Sequence, residues 1–545
     1  MASHGTVSSP QAFPEAADAP RLFVRRSSGL IRAIGVFGAV VFGVHCISLS
    51  SSGIITFQWV PSLWPGASLI GIITVAMLFG LMHAYTYAQI GAAAPRSGAD
   101  YALGSRTLHP IPAFAASFTL VIFSGLVAGS LVAWIPTVVL PALFQAAGAL
   151  YGSTTATDLA AWCQSPWGVF IIGTIGVAIT YASLLLPTRR VVQILGIGFF
   201  LGLAAWALIL FAFATGDPET FSTNWDRFVG EGNFDGVIAA AQAAGMGEAT
   251  SSFWTATLAG LIMGFWVFYG YYIPTFFAGE LKQAPRTLLA GGWGSLLVTW
   301  GIFTLGALLL YRSVSREWLS AEGYLASQSD YPAFPFVNFY ASVLQPNIIV
   351  FLVIAVGFVY TLINLAQTYF FYCSRIMFAW AFDRVVPERI AYVSPRTGSP
   401  VVAVTLIAIL AWIGVILSAL ESTLFVQLNF VFFAVVTMLV PVTAAIVYPY
   451  RRRELWEAGP ALIRQRIFGI PTMTLVGIGT LLYLLWLILS VFLFPAVGFE
   501  NVWASLAILA AMVLGGVGIF LCSWIYRKRV EGIDIMDTFR YIPPE

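Results

Sequence analysis

Apolar stretches long enough to cross a membrane recur along almost the whole of this 545-residue chain, separated by polar connections. A helix needs about 20 predominantly apolar residues to span a bilayer. Twelve stretches are of roughly that length or longer, at residues 31–57, 68–90, 113–140, 167–186, 191–213, 255–277, 291–311, 347–379, 400–417, 425–448, 471–494 and 503–526. The pattern predicts an all-α integral membrane protein with 12 transmembrane helices.

The first and the sixth stretch each contain a run that is unfavourable in a membrane helix. In the first it is Ser48-Leu49-Ser50-Ser51-Ser52-Gly53, and in the sixth it is Phe268-Tyr269-Gly270-Tyr271-Tyr272. The bilayer core offers backbone amides no water, so a span stays helical unless its loosened part is buried or lines a cavity. Two broken helices at corresponding places of a chain indicate the binding site of a transporter.

The two breaks also predict how the helices are organised. If helix 6 repeats the role of helix 1, helices 1–5 and 6–10 form two repeats, and an odd number of helices in each gives them opposite orientations. We therefore predict a transporter core with a 5+5 inverted repeat, broken helices 1 and 6, and two extra C-terminal helices. The predicted segments are a disordered cytoplasmic tail (1–29), the first repeat (30–213), the second, inverted repeat (255–448), helices 11 and 12 (471–526) and a C-terminal cytoplasmic tail (527–545).

Composition and charge agree with a membrane protein. Hydrophobic residues make up 59% of the chain and charged residues only 9%, whereas soluble domains carry roughly 25% charged residues. Of the 26 lysines and arginines, only Arg227, Arg312 and Arg316 lie in the odd-numbered connections. Positive charge accumulates on the cytoplasmic side of membrane proteins. Both termini are therefore predicted to be cytoplasmic, in a multi-pass protein of the plasma membrane.

Two histidines are the residues predicted inside the membrane that can become charged near neutral pH. His45 comes just before the first break, and His83 lies in the middle of helix 2. Histidine titrates near neutrality, so proton coupling is one interpretation, and a neutral imidazole hydrogen-bonded to a neighbouring helix is the other. No acidic residue is predicted in the membrane to orient either histidine. This argues against a membrane-embedded enzyme, and we expect no metal site and no cofactor.

Sodium coupling is an alternative to proton coupling. Na⁺ needs hard oxygen ligands, which carbonyl groups of helix 1 together with Gln367 and Thr368 of helix 8 can offer. Polar side chains in a long membrane helix also serve as helix–helix contacts. Uncoupled exchange needs neither ion, and the sequence leaves all three possibilities open. The predicted partners are a small molecule and the lipid bilayer, with no nucleic acid; the sequence does not predict the oligomeric state.

Three motifs in order resemble those of the amino acid–polyamine–organocation (APC) superfamily of amino acid permeases. After helix 2, the sequence YAQIGAAAPRSGADY beginning at Tyr87 is similar to the family's YAELGAAxPRSGGxY. Helix 6 and its exit, from FWVFYG at Phe265 to GELKQAPR at Gly279, resemble FWxFxG…EExKxPxR. After helix 8 comes Pro395-Arg396-Thr397-Gly398-Ser399-Pro400, again as in that family. The resemblance covers about residues 30–450 and implies an amino acid transporter that works by alternating access.

The resemblance also implies where the substrate binds, between the breaks of helices 1 and 6. The implied binding residues are Ile47, Ser51, Ser52, Gly53, Trp266, Phe268, Tyr269 and Gly270. The serines and Gly53 begin a half-helix, whose N–H groups and positive dipole end suit a carboxylate. Opened carbonyl groups near Ile47, Trp266 and Tyr269 suit an ammonium group. Trp266 and Phe268 match aromatic positions that close over the substrate.

Three positions depart from the family pattern. Ser51 replaces the first glycine of the family's Gly-Ser-Gly, which narrows the pocket. Gln89 replaces the glutamate of YAELG and removes a titratable group. Tyr272 stands where some proton-coupled members have glutamate.

A neutral, apolar amino acid is the predicted substrate. A second positive charge would ideally meet a buried carboxylate, and none is predicted in the membrane. Aromatic faces hold a cation without one, at about 2 kcal/mol when desolvated, so cationic amino acids or amines are an alternative. A potassium or other cation transporter of the same superfamily is another, and so is a sensor that binds amino acids without moving them.

Overall fold

The computed structural model describes residues 30, 32–63, 67–247, 253–326, 336–421, 429–494 and 501–541, and these are largely helical. The predicted disordered tail, residues 1–29, lies outside the described residues, as do residues 542–545 at the other end.

The first half of the chain contains both short and long helices. They are α1 (Val36–Ile47), α2 (Ser51–Leu63), α3 (Leu69–Ala93), α4 (Ala99–Thr107), α5 (Pro110–Trp134), α6 (Leu140–Tyr151), α7 (Thr154–Gln164), α8 (Pro166–Leu184), α9 (Thr188–Thr215), α10 (Pro218–Val229) and α11 (Asn233–Ala243). A π-helical segment, Ile135–Val139, joins α5 to α6. Together they form one apolar helix of 42 residues, Pro110–Tyr151, longer than the predicted third stretch.

The second half continues in the same way. Its α-helices are α12 (Phe253–Val267), α13 (Ala284–Leu310), α14 (Arg316–Ala326), α15 (Val337–Leu344), α16 (Ile348–Phe382), α17 (Val401–Ala419), α18 (Phe430–Arg451), α19 (Arg453–Glu457), α20 (Ala461–Arg464), α21 (Thr472–Leu493) and α22 (Val502–Tyr526). Single turns of 3₁₀- or π-helix are Ile273–Phe276, Ala278–Glu280, Glu388–Ala391, Arg527–Glu531 and Ile535–Arg540. Strands β1 (Arg466–Ile467) and β2 (Ile470–Pro471) form an antiparallel hairpin.

Every predicted membrane stretch contains a helix. Within the described ranges, ten helices are long and apolar enough to cross a membrane, and α1 with α2 form an eleventh candidate as a pair bent by 44°. The sixth stretch holds only the 15-residue helix α12, because regular winding stops at Val267. The all-α membrane architecture is therefore confirmed, while the count of 12 stays a prediction.

The helices of the two predicted repeats pack against each other and form one body. Helix α1 packs on α13 and α16, α5 packs on α17 and α16, and α9 packs on α16. Small residues permit the closest approaches: a Cβ atom on Gly129 of α5 would lie 1.8 Å from the carbonyl oxygen of Ala411 in α17. Helix α21 packs on α18 and α3, and α22 packs on α5. The inverted symmetry of the repeats stays a prediction.

Four short helices, α10, α11, α14 and α15, are joined by aromatic packing, and α14 and α15 lie against α2. The ring of Trp225 lies 5.8 Å from that of Phe221 and 4.8 Å from that of Trp318. Glu322 of α14 is fully buried there and accepts a hydrogen bond of 2.6 Å from the Tyr340 hydroxyl of α15. Burial raises the pKa of Glu322 to about 8. The carboxyl group therefore retains its proton at neutral pH.

Candidate substrate site

The first break separates α1 from α2 at Ser48, whose φ of 65° lies in the left-handed region that few non-glycine residues adopt. Hydroxyl groups hold the backbone in this shape. The Ser48 hydroxyl lies 3.1 Å from that of Ser50, and the Ser52 hydroxyl donates to the carbonyl oxygen of Ile47. Thr361 of α16 donates to Ser50 at 2.8 Å. The serine side chains therefore hydrogen-bond to one another and to the backbone of the opened turn, and Ser50 attaches this turn to α16.

The second break follows α12 and is built around Gly270. Its φ of 125° is a conformation that only glycine adopts readily. The N–H of Tyr269 still bonds to the Trp266 carbonyl at 2.9 Å, and after Gly270 the chain continues as the 3₁₀ turn Ile273–Phe276. The helix is thus interrupted at the residues that the sequence indicated.

The two breaks meet. A Cβ atom on Gly270 would lie 2.6 Å from both the carbonyl carbon and the Cβ of Cys46, which is in the last turn of α1. The N-terminus of α2, with its positive dipole end, and the C-terminus of α12, with its negative end, both belong to these interruptions. The positive end of α2 and the negative end of α12 therefore both lie at the junction of the two breaks.

The predicted residues of helix 1 take different positions at this junction. Ser51 and Ser52 lie in the first turn of α2 and are buried. The Ile47 carbonyl already accepts the Ser52 hydroxyl. Gly53 faces α9, since a Cβ atom there would lie 2.6 Å from the indole ring of Trp206. The indole N–H of Trp206 in turn donates to the carbonyl of Leu49 at 2.9 Å.

The predicted aromatic residues of helix 6 lie on both sides of the second break. Trp266 is half-buried, stacks on Phe430 of α18 with 5.1 Å between ring centroids, and meets Trp59 of α2 edge-on at 5.2 Å. Phe268 and Tyr269 are buried. Trp266 thereby closes an aromatic layer between α2, α12 and α18.

A cluster of tyrosines lies next to the break, and sequence reasoning named Tyr269 and Tyr272 but missed Tyr369 and Tyr372. Ring centroids lie 5.6 Å apart for Tyr269 and Tyr272, 6.4 Å for Tyr269 and Tyr369, and 5.4 Å for Tyr369 and Tyr372. The buried hydroxyls of Tyr269, Tyr272 and Tyr372 lie close enough to interact with one another, and within the described part of the chain none has a further hydrogen-bond partner. They form a small polar group in an otherwise apolar region beside the break. The i, i+3 spacing of Tyr369 and Tyr372 on α16 was the signal that could have found them.

Both histidines are hydrogen-bonded to neighbouring elements. His45 donates from Nε2 to the carbonyl of Leu195 in α9 at 2.7 Å, and the amide nitrogen of Asn364 in α16 lies 3.3 Å from the same atom. Nδ1 of His83 shares a hydrogen bond of 2.8 Å with the hydroxyl of Tyr271, inside the second break. Their part in coupling stays a prediction.

The two residues considered for sodium coupling, Gln367 and Thr368, contact different parts of the protein. Gln367 donates from Nε2 to the hydroxyl of Ser183 in α8 at 2.7 Å. Thr368 bonds back to the Leu365 carbonyl at 2.7 Å and lies beside the thiol of Cys46. Thr368 therefore contacts the last turn of α1, whereas the hydrogen bond of Gln367 joins α16 to α8.

A buried ion pair lies at the end of the second break. Glu280, at the end of the second break, binds Nε and Nη2 of Arg375 in α16 at 2.8 and 3.3 Å, and both side chains are buried. The Arg375 guanidinium also lies 3.5 Å above the ring of Phe371. The backbone of Ile34, just before α1, pairs with residues on both sides of Leu281 through bonds of 3.1 and 2.8 Å. The segment before α1, the exit of the second break and α16 are thus locked together.

A second ion pair lies on the same side of the protein. Arg106 of α4 binds both carboxylate oxygens of Asp383, at the end of α16, at 2.7 Å. At the other end of α4, burial raises the pKa of Asp100 to about 7, against backbone hydrogen bonds that lower it. The ion pair of Arg106 and Asp383 therefore attaches α4 to the end of α16, as the pair of Glu280 and Arg375 attaches the second break to α16.

Apolar helices around two breaks that meet, with opposite helix dipoles at the junction, define a membrane transporter of a small polar solute. The family described as Amino acid permease matches residues 29–518, and the chain belongs to that family. The predicted resemblance to APC permeases is thereby confirmed, and with it a multi-pass membrane protein of a family that transports amino acids or amines. A comparison with curated proteins gave no match.

Proposed function

We propose that this permease is a secondary active transporter that carries a neutral amino acid across the plasma membrane by alternating access. The observation that carries the proposal is the contact of Gly270 with Cys46. It joins the two breaks, so that the positive end of α2 and the negative end of α12 serve one site. Such a junction suits the carboxylate and the ammonium group of an amino acid without any charged side chain.

The charges nearest the junction support a substrate with a neutral side chain. Glu280 is a buried carboxylate close to the second break, and Arg375 already neutralises it at 2.8 Å. A cationic side chain would therefore enter without a counterion, and an unpaired buried charge is costly. The layer formed by Trp59, Trp266 and Phe430 instead offers an apolar aromatic surface.

An amine or a cationic amino acid is the second candidate, and the tyrosine cluster is the observation that favours it. Aromatic faces attract a cation, and the hydroxyls of Tyr269, Tyr272 and Tyr372 can accept hydrogen bonds from it. This candidate differs from the first in the side chain of the substrate, while its polar head uses the same junction.

We infer that protons drive accumulation through His45, with both termini in the cytoplasm. His45 is one turn before the first break and bridges α1 to α9 through Leu195. A charge on this ring would be buried among apolar helices, so the protonated form requires the surroundings to rearrange. Proton binding is thereby coupled to the packing of α1 against α9.

Two measurements test the function. A thermal-shift screen of the purified protein against the twenty amino acids, common amines, Na⁺ and K⁺ should show stabilisation by neutral apolar amino acids, because a ligand of the folded state raises its melting temperature. Uptake of the labelled hit into proteoliposomes should saturate and increase with an inward proton gradient.

The outcomes separate the alternatives. Stabilisation by amines alone would favour the second candidate. Stabilisation by an amino acid without uptake or exchange would indicate a sensor, and stabilisation by K⁺ alone a cation transporter. Either of the last two results would overturn the proposed function.

A further inference from the structure

The connection between α18 and α21 contains a β-hairpin with exposed apolar residues at its tip and exposed arginines beside it. Strands β1 and β2 pair Ile467 with Ile470, leaving Phe468 and Gly469 as a two-residue turn. Both turn residues have positive φ, 51° and 81°, as type I′ hairpin turns require. A phenylalanine is an unusual choice for such a position, which favours asparagine or glycine. Its side chain is 99% exposed, and those of Ile467 and Ile470 are 42% and 44% exposed.

The position of the hairpin confines it to the membrane surface. Helix α18 ends at Arg451 and α21 begins at Thr472, and both are long and apolar enough to span the bilayer. The short helices α19 and α20 and the hairpin fill the space between. Strand β2 ends at Pro471, directly before α21, so the tip lies within a few residues of the bilayer surface, on the side predicted to be cytoplasmic.

Positive charge surrounds the tip. The side chains of Arg464 and Arg466 are exposed. Arg466 lies 4.9 Å from the ring centroid of Trp456 and donates to the Gly469 carbonyl at 3.2 Å, which orients it next to the turn. Arg453, in contrast, is already paired with Glu457. Guanidinium groups bind phosphate oxygens well, and basic segments at the membrane surface are attracted to anionic lipids.

We propose that residues 464–471, the basic hairpin, form a docking site for anionic phospholipid. Phe468, Ile467 and Ile470 enter the interfacial region, where amphipathic and aromatic side chains concentrate. Arg464 and Arg466 bind the phosphate groups above them. The apolar tip accounts for the attachment to a membrane, and the arginines account for the preference for negative headgroups.

The hairpin is fixed to the transport core at its base. Tyr85 of α3 donates to the side-chain oxygen of Gln465. Gln89 of α3 donates to the Leu462 carbonyl at 3.2 Å and to the Thr472 hydroxyl at 2.9 Å. Helix α3 also accepts a hydrogen bond of 3.1 Å from Thr275, in the 3₁₀ turn of the second break, at the Tyr87 carbonyl. Lipid bound at the hairpin therefore stabilises the packing of α3 and, with it, the folded protein.

The first arm of the test locates the tip. Phe468→Cys is made together with Cys522→Ser, which removes the exposed cysteine and leaves the three buried ones. The full-length protein is labelled with an environment-sensitive fluorophore and reconstituted into vesicles of phosphatidylcholine and phosphatidylglycerol. We expect quenching by lipids brominated on their acyl chains and protection from aqueous iodide. Quenching by iodide with no effect of brominated lipid would overturn the proposal, and so would a signal that depends on protein concentration, which would indicate a second copy at the tip.

The second arm tests the arginines by thermal stability in phosphatidylcholine with and without phosphatidylglycerol. The anionic lipid should raise the melting temperature of the unmodified protein, and the double variant Arg464→Gln, Arg466→Gln should lose most of that rise. Arg396→Gln, a change of an exposed arginine in another connection, is the control and should keep it. An equal rise in the double variant, or none in the unmodified protein, would remove the anionic lipid from the proposal. Neither arm depends on the substrate.

Discussion

Gly270 and Cys46 are in van der Waals contact across the two breaks, with room for no side chain between them. A Cβ atom on Gly270 would lie 2.6 Å from the backbone carbonyl carbon of Cys46 and 2.7 Å from its sulfur. The last turn of α1 therefore leaves no space for a Cβ atom at residue 270 of the second break. This contact brings the two helix interruptions together.

Gly270→Ala should destabilise the protein and abolish uptake. The new methyl group meets the backbone of α1, and overpacking of this kind costs about 1–3 kcal/mol. The φ of 125° adds strain for any residue with a Cβ. Gly301→Ala is the matched control, because nothing lies within 4 Å of a Cβ there and the residue sits inside α13. The melting temperature should fall for the first variant and hold or rise for the second; equal effects would contradict the close contact.

Arg375→Gln should cost about 3–5 kcal/mol of stability, because it leaves Glu280 as a buried charge without its partner. The double variant Glu280→Gln, Arg375→Gln removes both charges and should recover part of the loss. In the exposed pair of Arg453 and Glu457, the change Arg453→Gln should leave the stability nearly unchanged, because water and salt screen an exposed ion pair. Unfolding in denaturant measures all three. A double variant less stable than Arg375→Gln alone would show that the pair does not act as a unit.

His45→Gln should abolish pH-driven accumulation and leave exchange intact. The glutamine amide can still donate to the Leu195 carbonyl, as His45 does at 2.7 Å, but it cannot take up a proton near neutral pH. Accumulation and counterflow of the labelled substrate in proteoliposomes measure the two activities separately. His109→Gln, at the exposed start of α5, serves as the control. Unchanged accumulation in the His45 variant would remove this residue from the mechanism.

Glu322 should make the protein less stable as the pH rises. Burial raises its folded-state pKa from 4.5 to about 8, so between these values the folded state binds a proton that the unfolded state has lost. The free energy of unfolding then falls with increasing pH, by up to about 1.4 kcal/mol per pH unit from this group, and levels off above the folded-state pKa. Glu322→Gln keeps a hydrogen-bonding partner for Tyr340 without the titration. Its stability should lack this slope; a slope equal to that of the unmodified protein would assign the pH dependence to other groups.

Much of the architecture could be predicted from local features of the chain. The length of each apolar stretch is a property of that stretch alone, so every one of them contains a helix in the structure. The hydroxyl run at Ser48 and the glycine at Gly270 weaken a membrane helix where they stand, and both helices are interrupted there. The family motifs led to the permease family for the same reason, because they are contiguous in the sequence.

Contacts between distant segments could not be predicted in this way. Thr361 and Ser50 are 311 residues apart in the chain and share a hydrogen bond. Gln367, predicted as a sodium ligand because it lies in helix 8, instead donates a hydrogen bond to Ser183 of α8. The partner of Glu280 proved to be Arg375, 95 residues away. Which face of a helix meets which neighbour depends on how all the helices pack together, and nearly all-apolar helices carry little periodic pattern that records it.

The sequence alone thus determined that the chain lies in a membrane, where its helices run and where two of them lose their winding, because hydrophobicity and backbone preference act over a few neighbouring residues. Only the tertiary structure decided that the two interruptions touch, that tyrosines of the second break and of α16 gather beside them, and which charges neutralise each other. Those outcomes arise from close packing, in which a single glycine opposite a backbone sets the distance between helices.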